Sequence, residues 1–353
     1  MTQLLQFPKL GWAFNINRVA FSIGNLDIYW YGITFALAFV VGLIYFSRRT
    51  QKIGIHPDDA LDTVLWAVVG GIVGARAYFV IFQWDALYKD NPWKIFAFRE
   101  GGLAIYGGVI GAILVGFIVT RIKKIPLLPL LDIGLPALLM GQAIGRWGNF
   151  FNIEAFGVNT NLPWGMTSDS IVAYLQRPDV VAQLEKLGQT VDPYMPVHPT
   201  FFYEFLWNTL GFILLAYVLT PKRRYDGQVT LGYMAWYGLG RMFVEGLRTD
   251  SLVTEMPWGM IRVSQYLGGI LFVFATVYMI VMHFVVKKKG AVLYADTEVS
   301  KERIRIKNEN LAAKENAKKN KKNKENEAVS SKEGETQTVV LKEDAPIEKE
   351  ENK

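Results

Sequence analysis

The segment Gly145–Gly157, GRWGNFFNIEAFG, combines side chains that can bind anions and hydroxyl groups. Arg146 lies between Gly145 and Gly148. Its planar guanidinium can bind a phosphate through two parallel hydrogen bonds. Glycine allows a ligand to approach the backbone closely. Asn149, Asn152 and Glu154 could bind hydroxyl groups or hold the guanidinium in place. The alternative, a polar turn that caps a helix, would not need so many functional groups.

A second segment, HPTFFYE, runs from His198 to Glu204 and opens an apolar run. In a helix Thr200, Tyr203 and Glu204 would lie on one side. These side chains could face the same site as Arg146.

A third segment, RMFVEGLR, spaces Arg241, Glu245 and Arg248 at i, i+4 and i+7, which places them on one helix face. The simplest interpretation is a salt bridge between Arg241 and Glu245. That pair would still leave Arg248 able to bind a phosphate.

Two tyrosines have an open interpretation. Tyr31 follows Trp30 at the start of an apolar run, where aromatic residues commonly mark a membrane interface. Tyr106 lies in GGLAIYGGVIGA, whose glycines allow close helix packing. Its side chain is either a packed interfacial tyrosine or a hydroxyl open to a ligand.

The elements that must position these residues are membrane spans. The chain has 353 residues, 51% of them hydrophobic, in runs of about the ~20 residues that cross a bilayer. We predict an all-α polytopic membrane protein with about seven transmembrane helices. The spans are Ile28–Phe46, Ala60–Phe82, Gly101–Val119, Leu127–Ile144, Phe201–Leu219, Val229–Glu245 and Val263–Val286. The fourth is the weakest, because Pro129, Asp132 and Pro136 interrupt it.

The basic loops predict an orientation. SRRTQK, RIKK, PKRR and KKK follow the first, third, fifth and seventh spans, whereas the alternate loops Gln83–Glu100 and Thr249–Ile261 carry few cations. The positive-inside rule then predicts a plasma-membrane protein whose basic loops are cytoplasmic. Its N-terminus would lie outside and its C-terminus in the cytoplasm. Met1–Gly24 lacks the pattern of a cleavable signal.

Two segments lie outside the spans. Residues 150–199, with an amphipathic stretch Ser170–Leu187, predict a small external head. Residues 290–353 are rich in Lys, Glu and Asn, which predicts a disordered cytoplasmic tail. Its KKNKKNKENE sequence could touch anionic lipid headgroups, although a solvated tail without chemistry is the simpler interpretation.

Charges within spans require a reason, since each costs about 2.5–3.5 kcal/mol on insertion scales. For Asp62, Arg76 and Asp132 we favour structural ion pairs or positions near the interface. The other charges gather at the outer span ends, which favours a ligand site.

Composition excludes several classes. The chain has no cysteine, so it has no disulfide, thiolate metal site or cysteine nucleophile. The presence of three histidines argues against a His-rich metal centre, and no metal or cofactor is implied. The net charge of +6 comes from cations beside apolar runs, which indicates membrane topology and no nucleic acid partner.

With these residues in view, the sequence resembles the bacterial prolipoprotein diacylglyceryl transferases from FSIGNLDIYWYG to the seventh span. GRWGNFFNIEAFG is similar to the family signature, and HPTFFYE and RMFVEGLR match family patterns in the expected order. The tail lies outside the resemblance.

The resemblance implies that phosphatidylglycerol donates its diacylglyceryl group to the lipobox cysteine of a prelipoprotein signal peptide. A thioether forms and glycerol phosphate is released. It also implies that Arg146 binds phosphatidylglycerol and that Tyr31, Asn149 and Gly157 occupy important positions. Arg241 and Glu245 match a pair tied to activity.

The chain departs from the resemblance at Tyr106, where many members carry histidine. A tyrosine is a poor base at neutral pH, since its ordinary pKa is about 10. We therefore interpret Tyr106 as a hydrogen-bonding or positioning residue.

In our mechanistic hypothesis arginines bind the phosphate, because negative charge grows on the leaving phosphate oxygen. Arg146 and Arg241 would stabilise it, with Arg248 as a further candidate. Glu154 and Glu245 would orient these arginines.

The remaining candidates for phosphatidylglycerol binding are Asn149, Asn152, Gly157, His198, Tyr203 and Glu204. Of these, Asn149 would bind the glycerol hydroxyls. The alternatives are a transporter of a small anionic solute or lipid, which would share broken spans and intramembrane charges, and a different lipid-headgroup enzyme.

Overall fold

The computed structural model describes the side chains of residues 2–98, 101–257 and 259–320 and the backbone as far as residue 343. The chain divides after Thr297 into a membrane unit and a C-terminal helix. The helices of the membrane unit are α1 (Trp30–Thr50), α2 (Pro57–Phe82), α3 (Ile105–Ile122), α4 (Leu127–Asn152), α5 (Asp169–Leu175), α6 (Pro178–Lys186), α7 (Thr200–Ile213), α8 (Thr220–Lys222), α9 (Gln228–Leu247) and α10 (Val263–Lys289). A π-helical segment, Leu214–Leu219, joins α7 to α8.

In the described part of the chain the strands form three antiparallel hairpins, which the all-α prediction does not contain. Their bounds are β1 (Thr2–Phe7), β2 (Trp12–Asn17), β3 (Val19–Ile23), β4 (Leu26–Tyr29), β5 (Val253–Met256) and β6 (Gly259–Arg262). The sequence does carry a hairpin signal between β3 and β4, where Gly24 and Asn25 form a two-residue connection. Gly24 has φ +59°, a conformation that glycine adopts without a steric penalty.

The polytopic helical architecture is confirmed. Within the described residues, six helices are long and apolar enough to cross a membrane: α1, α2, α3, α4, α7 with its continuation, and α10. The remaining predicted span, Val229–Glu245, corresponds to α9, which has 20 residues and packs against α10, α4 and α7. It is less apolar than the others because it combines Arg241 and Glu245 with Gln228 and with several glycines and tyrosines.

The helices alternate in direction, so the bundle has two different ends. The basic end holds the cations that follow α1, α3, α8 and α10 in the sequence. The opposite end, which we call the head end, holds the last turns of α4 and α9 and the first turn of α7. GRWGNFFNIEAFG, HPTFFYE and RMFVEGLR therefore meet at one end of the bundle.

The predicted head contains the N-terminal hairpin as well as residues 150–199. Leu5 and Ile16 of that hairpin are buried against Ile171 and Leu184 of the two head helices. The amide and carbonyl of Gln6 pair with those of Thr167, at 2.9 Å in both directions. The amphipathic stretch forms α5 and α6 instead of one helix, since Pro178 begins the second.

The break predicted in the fourth span is wrong, because α4 is continuous from Leu127 to Asn152. Pro129 lies in its first turn, where a missing amide hydrogen removes no helical bond. Asp132 has a role in the neighbouring helix. Its carboxylate accepts hydrogen bonds from the amides of Gly227 and Thr230, each at 2.8 Å, and so caps the N-terminus of α9.

The other two intramembrane charges are also held structurally. Asp62 and Asp59 each accept a 2.8 Å hydrogen bond from Lys123, which confirms the ion pair expected of Asp62. Arg76 is paired with backbone instead of a carboxylate. Its guanidinium donates to five carbonyl oxygens in residues 94–102 and thereby holds the loop before α3.

The α2 and α3 helices touch through glycine. A Cβ on Gly111 would lie 2.2 Å from the carbonyl oxygen of Gly70 and 3.0 Å from Cα of Gly74. Real Cβ atoms do not approach backbone so closely, so the helices can adopt this separation only without side chains there.

We therefore expect Gly111→Ala to destabilise the protein by about 1–3 kcal/mol, the usual range for overpacking. Gly116→Ala is the matched control on the same helix, because its Cβ would lie 3.5 Å from the Ala67 side chain, an ordinary contact. Thermal unfolding of the purified variants measures the difference. Equal transition temperatures would contradict this packing.

Part of the C-terminal segment that the sequence predicts to be a disordered tail is helical in the structure. Residues Glu298–Glu343 form a helix, α11, whereas residues 344–353 lie outside the described residues. Low hydrophobicity predicts that a segment cannot bury a core, but Lys and Glu are good helix formers. Pairs such as Lys301 with Glu298 and Arg305 with Glu302 lie at the i, i+3 spacing that supports a helix. Residues 290–297 belong to the membrane unit, and Tyr294 packs against its core.

Candidate functional site

Three arginines converge on one buried carboxylate at the head end of the bundle. Glu204 in α7 forms ion pairs with Arg146 of α4, with Arg241 of α9 at 3.6 Å and with Arg248 after α9 at 3.1 Å. Only 8% of the Glu204 side chain is exposed. We call these four residues the arginine cluster. Arg241 and Arg248 also pair with Glu245 and Asp250, so the capacity of the cluster for an anion depends on which guanidinium donors remain unused.

The three arginines differ in how much of their binding capacity is already used. Arg248 donates from Nε and Nη2 to Asp250 at 2.9 and 2.8 Å and from Nη1 to Glu204 at 3.1 Å. Arg241 pairs through Nη2 with Glu245 at 2.9 Å, but its buried Nε has no hydrogen-bond acceptor among the described residues. Arg146 contacts Glu204 and, at 3.3 Å, Asn149 Oδ1. Arg146 and Arg241 are therefore better placed than Arg248 to receive a ligand.

Residues 149–155, at the end of α4, form a tight turn that we call the polar turn. Glu154 Oε1 accepts hydrogen bonds from Asn149 Nδ2 at 2.9 Å and Asn152 Nδ2 at 3.3 Å. Ile153 and Ala155, on either side of Glu154, both have φ +53°, which is uncommon for residues with a side chain. Such strain persists where the surroundings enforce it and is frequent at functional sites.

In this turn Glu154 is linked to Arg146 through Asn149. Glu154 does not pair with Arg146; it holds Asn149, and Asn149 in turn accepts a hydrogen bond from Arg146. The carboxylate that pairs with Arg146 is Glu204. The predicted pair of Glu245 with Arg241 is present.

Gly157 sits where no side chain fits. A Cβ there would lie 2.8 Å from the Leu247 carbonyl oxygen and 2.9 Å from the His198 Cβ. Its amide donates to the His198 carbonyl at 2.8 Å. Gly157 therefore joins the end of α4 to the segments before α7 and after α9, and its amide is not available to a ligand.

His198 and Tyr203 belong to a second polar group beside the cluster. Trp164 Nε1 donates to Tyr203 Oη at 2.7 Å, so the Tyr203 hydroxyl proton can be donated to His198 Nδ1 at 3.0 Å. Burial lowers the pKa of His198, which keeps the imidazole neutral at pH 7 and able to accept that bond. The arrangement fixes Tyr203 next to Glu204 in the first turn of α7.

Tyr31 lies at the start of α1, beside the polar turn. A Cβ on Gly148 would meet the Tyr31 ring at 2.7 Å, so that glycine allows the ring to pack against α4. Tyr31 and Asn152 also line an open cavity of about 440 Å³ with Asp27, Ile28, Tyr29 and Gly32. This cavity provides access to the polar turn from the side of α1.

Tyr106 stands apart from these residues. It begins α3, which packs along α2, and among the described residues no hydrogen bond or ion pair joins Tyr106 to the arginine cluster. The structure therefore brings together twelve of the thirteen sequence-predicted positions around the head ends of α1, α4, α7 and α9 and leaves Tyr106 on a neighbouring helix pair.

Two contributing residues were not anticipated. Asp250 holds Arg248 through two hydrogen bonds, and Arg18 Nη2 donates to the Asn152 carbonyl at 3.0 Å. Asp250 follows Arg248 by two residues, a spacing that could have suggested the pair. Arg18 is far from Asn152 in sequence, and no local signal indicates that contact.

Comparison with known proteins agrees with this geometry. A family model described as prolipoprotein diacylglyceryl transferase matches residues 18–281, which include all seven helices of the bundle except the last turns of α10. The chain belongs to this family.

Bacterial members are similar over most of their length. A phosphatidylglycerol–prolipoprotein diacylglyceryl transferase of Finegoldia magna is 44% identical over 250 residues, which cover 71% of this chain and 89% of the relative. A protein of the same name from Lactiplantibacillus plantarum is 43% identical, over 73% of this chain and 86% of the relative. One from Enterococcus faecalis is 42% identical, over 75% of this chain and 90% of the relative. The C-terminal helix of this diacylglyceryl transferase family member lies beyond the matched residues.

Proposed function

We propose that this transferase moves the diacylglyceryl group of phosphatidylglycerol to a prolipoprotein, and that the acceptor atom is the sulfur of a lipobox cysteine. The observation that carries the site assignment is the arginine cluster, in which three guanidiniums share Glu204 at the head end of the bundle. Arginine recognises a phosphodiester through charge-assisted hydrogen bonds.

Arg146 and Arg241 bind the phosphate in this proposal. The buried Arg241 Nε already lacks an acceptor among the described residues, and a phosphate oxygen would supply one. Arg248 uses Nε and both Nη atoms on Asp250 and Glu204, so its role is to hold Glu204 in position. Glu245, one turn later in α9, holds the Arg241 guanidinium through an ion pair.

The polar turn binds the glycerol part of the headgroup. Asn149 contacts both Arg146 and Glu154, so hydroxyls next to a bound phosphate would meet its amide and the Glu154 carboxylate. Tyr31 packs on Gly148 one turn away and faces the open cavity beside Asn152. We propose that the substrate peptide or lipid reaches the site through this opening.

The reaction is a displacement at carbon. The cysteine sulfur attacks the glyceryl carbon that carries the phosphoester oxygen, the carbon–oxygen bond breaks, and the electron pair leaves with glycerol phosphate. A thioether forms and the thiol proton is released. Negative charge grows on the departing phosphate, so preorganised guanidiniums lower the barrier. The protein has no cysteine of its own, which is consistent with a nucleophile supplied by the substrate.

We also propose that the head faces outward from a bacterial plasma membrane and that the N-terminus lies on that side. The cations at the basic end support this orientation, because basic loops remain in the cytoplasm. The site would then be on the side to which prolipoproteins are exported.

The test is to incubate purified full-length protein with phosphatidylglycerol and a lipobox peptide, and to measure peptide mass and released glycerol phosphate together. We expect a diacylglyceryl mass gain with one glycerol phosphate per modified peptide. A Cys→Ser peptide is the substrate control. No mass gain from an intact protein that still binds lipid would favour a lipid or solute transporter.

Tyr106→Phe should lower turnover by no more than about fivefold, the effect expected for one neutral hydrogen bond. The reason is that no described hydrogen bond or ion pair joins Tyr106 to the arginine cluster. Initial rates of peptide lipidation measure this, with Tyr78→Phe on the adjacent helix α2 as the control. A loss comparable to that of an Arg146 variant would show that the Tyr106 hydroxyl takes part in the chemistry.

A further inference from the structure

A second cavity lies at the basic end of the bundle, away from the arginine cluster. It has a volume of about 810 Å³ and is formed by the end of α3, the start of α4 and residues of the segment after α10. Arg146 lies nineteen positions after Leu127 in α4, so roughly 30 Å separate the cavity from the proposed active site.

Two cations that line this cavity have no carboxylate partner among the described residues. They are Arg121 and Lys124, both exposed. Lys123, between them in sequence, is instead paired with Asp59 and Asp62 at 2.8 Å. Arg121 packs its guanidinium over the Phe117 ring at 4.8 Å, which leaves its hydrogen-bond donors available. Arg121 and Lys124 therefore present positive charge to the cavity, whereas the charge of Lys123 is neutralised by two aspartates.

The remaining walls suit a lipid better than a free anion. Phe117, Leu128 and Val292 line the cavity and are 40%, 49% and 74% exposed, so apolar surface adjoins the two cations. An anionic lipid would place its phosphate on the cations and its acyl chains along this surface. A small free phosphate would leave the apolar wall uncovered.

Asp226 adds a selective element. Its Oδ2 accepts the Tyr294 amide at 2.8 Å, whereas its Oδ1 is buried and accepts no hydrogen bond among the described residues. A carboxylate in an anion site is unfavourable unless the ligand also brings a donor. A hydroxyl on the lipid headgroup would supply that donor. Burial also raises the pKa of Asp226.

We propose that this cavity is a second, non-catalytic binding site for an anionic phospholipid with a hydroxylated headgroup. Arg121 and Lys124 hold the phosphate, Asp226 accepts the headgroup hydroxyl, and the apolar wall receives the start of the acyl chains. The site does not depend on the proposed transfer reaction, because it shares no residue with the arginine cluster.

The experiment is native mass spectrometry of the full-length protein released from detergent containing a fixed concentration of phosphatidylglycerol. The test variant is Arg121→Ala/Lys124→Ala, and the matched control is Lys287→Ala/Lys288→Ala, which removes two exposed cations at the same end. We expect the wild type and the control to retain one more phosphatidylglycerol than the test variant. The population with that extra lipid should fall by about tenfold, as expected for two lost charge-assisted contacts.

Two further probes separate the possible ligands. Phosphatidylmethanol carries the same charge without a hydroxyl and should be retained less than phosphatidylglycerol at this site. Inorganic phosphate should not displace the lipid. Equal lipid retention by the test variant, equal loss in the control, or displacement by inorganic phosphate would overturn the site. Equal retention of phosphatidylmethanol would overturn the role of Asp226. Thermal unfolding of each variant verifies that the comparison is between folded proteins.

Discussion

Arg146→Ala should lower the rate of diacylglyceryl transfer by about 10²–10³-fold while leaving the protein folded, in line with the loss of one preorganised donor to a developing anion. Among the described residues Arg146 pairs with one carboxylate, Glu204, and otherwise contacts the neutral Asn149 side chain, whereas Arg241 and Arg248 each pair with two carboxylates. Its guanidinium is therefore available when a phosphate enters. The measurement is kcat/KM for a lipobox peptide at fixed phosphatidylglycerol.

Two variants make this result specific. Arg146→Lys keeps the charge but cannot form a bidentate contact, so its rate should lie between those of the wild type and the alanine variant. Arg177→Ala removes an arginine that pairs with Asp179 on the head surface, and it should leave the rate unchanged. Near-normal turnover of Arg146→Ala would remove Arg146 from the phosphate site.

Glu204→Ala should affect both stability and activity. Removing the shared carboxylate leaves Arg146, Arg241 and Arg248 close together without their common partner. Breaking a buried ion pair from one side destabilises a protein by about 3–5 kcal/mol. Transfer should fall at least as far as in Arg146→Ala, because the arginines would also lose their orientation. Denaturant unfolding and the lipidation assay measure the two effects.

An anion test separates this explanation from a simple packing defect. In Glu204→Ala, inorganic phosphate should raise the unfolding temperature more than it does in the wild type, since phosphate can replace the missing carboxylate. Glu204→Gln keeps the size of the side chain, so it should lose less stability than Glu204→Ala. Phosphate should again raise its unfolding temperature more than it raises that of the wild type. If phosphate gave no extra stabilisation to either variant, the three arginines would not form a shared anion site.

Local spacing in the sequence determined several features directly. Apolar runs of sufficient length predicted the membrane helices, because a bilayer requires such runs whatever their packing. The i, i+4 spacing of Arg241 and Glu245 predicted their salt bridge, since helix geometry alone brings them together. The cations at one end of the bundle and the composition of GRWGNFFNIEAFG were likewise visible without a structure.

Tertiary structure alone decided which distant groups became partners. Helical spacing fixes the face on which a side chain lies but not the helix that the face meets, so Glu204 as the common partner of arginines from α4 and α9 was not predictable. The same reason explains why Glu154 holds Asn149 instead of Arg146. The N-terminal hairpin joined the head through contacts between segments more than 100 residues apart, which depend on packing and leave no local pattern in the sequence.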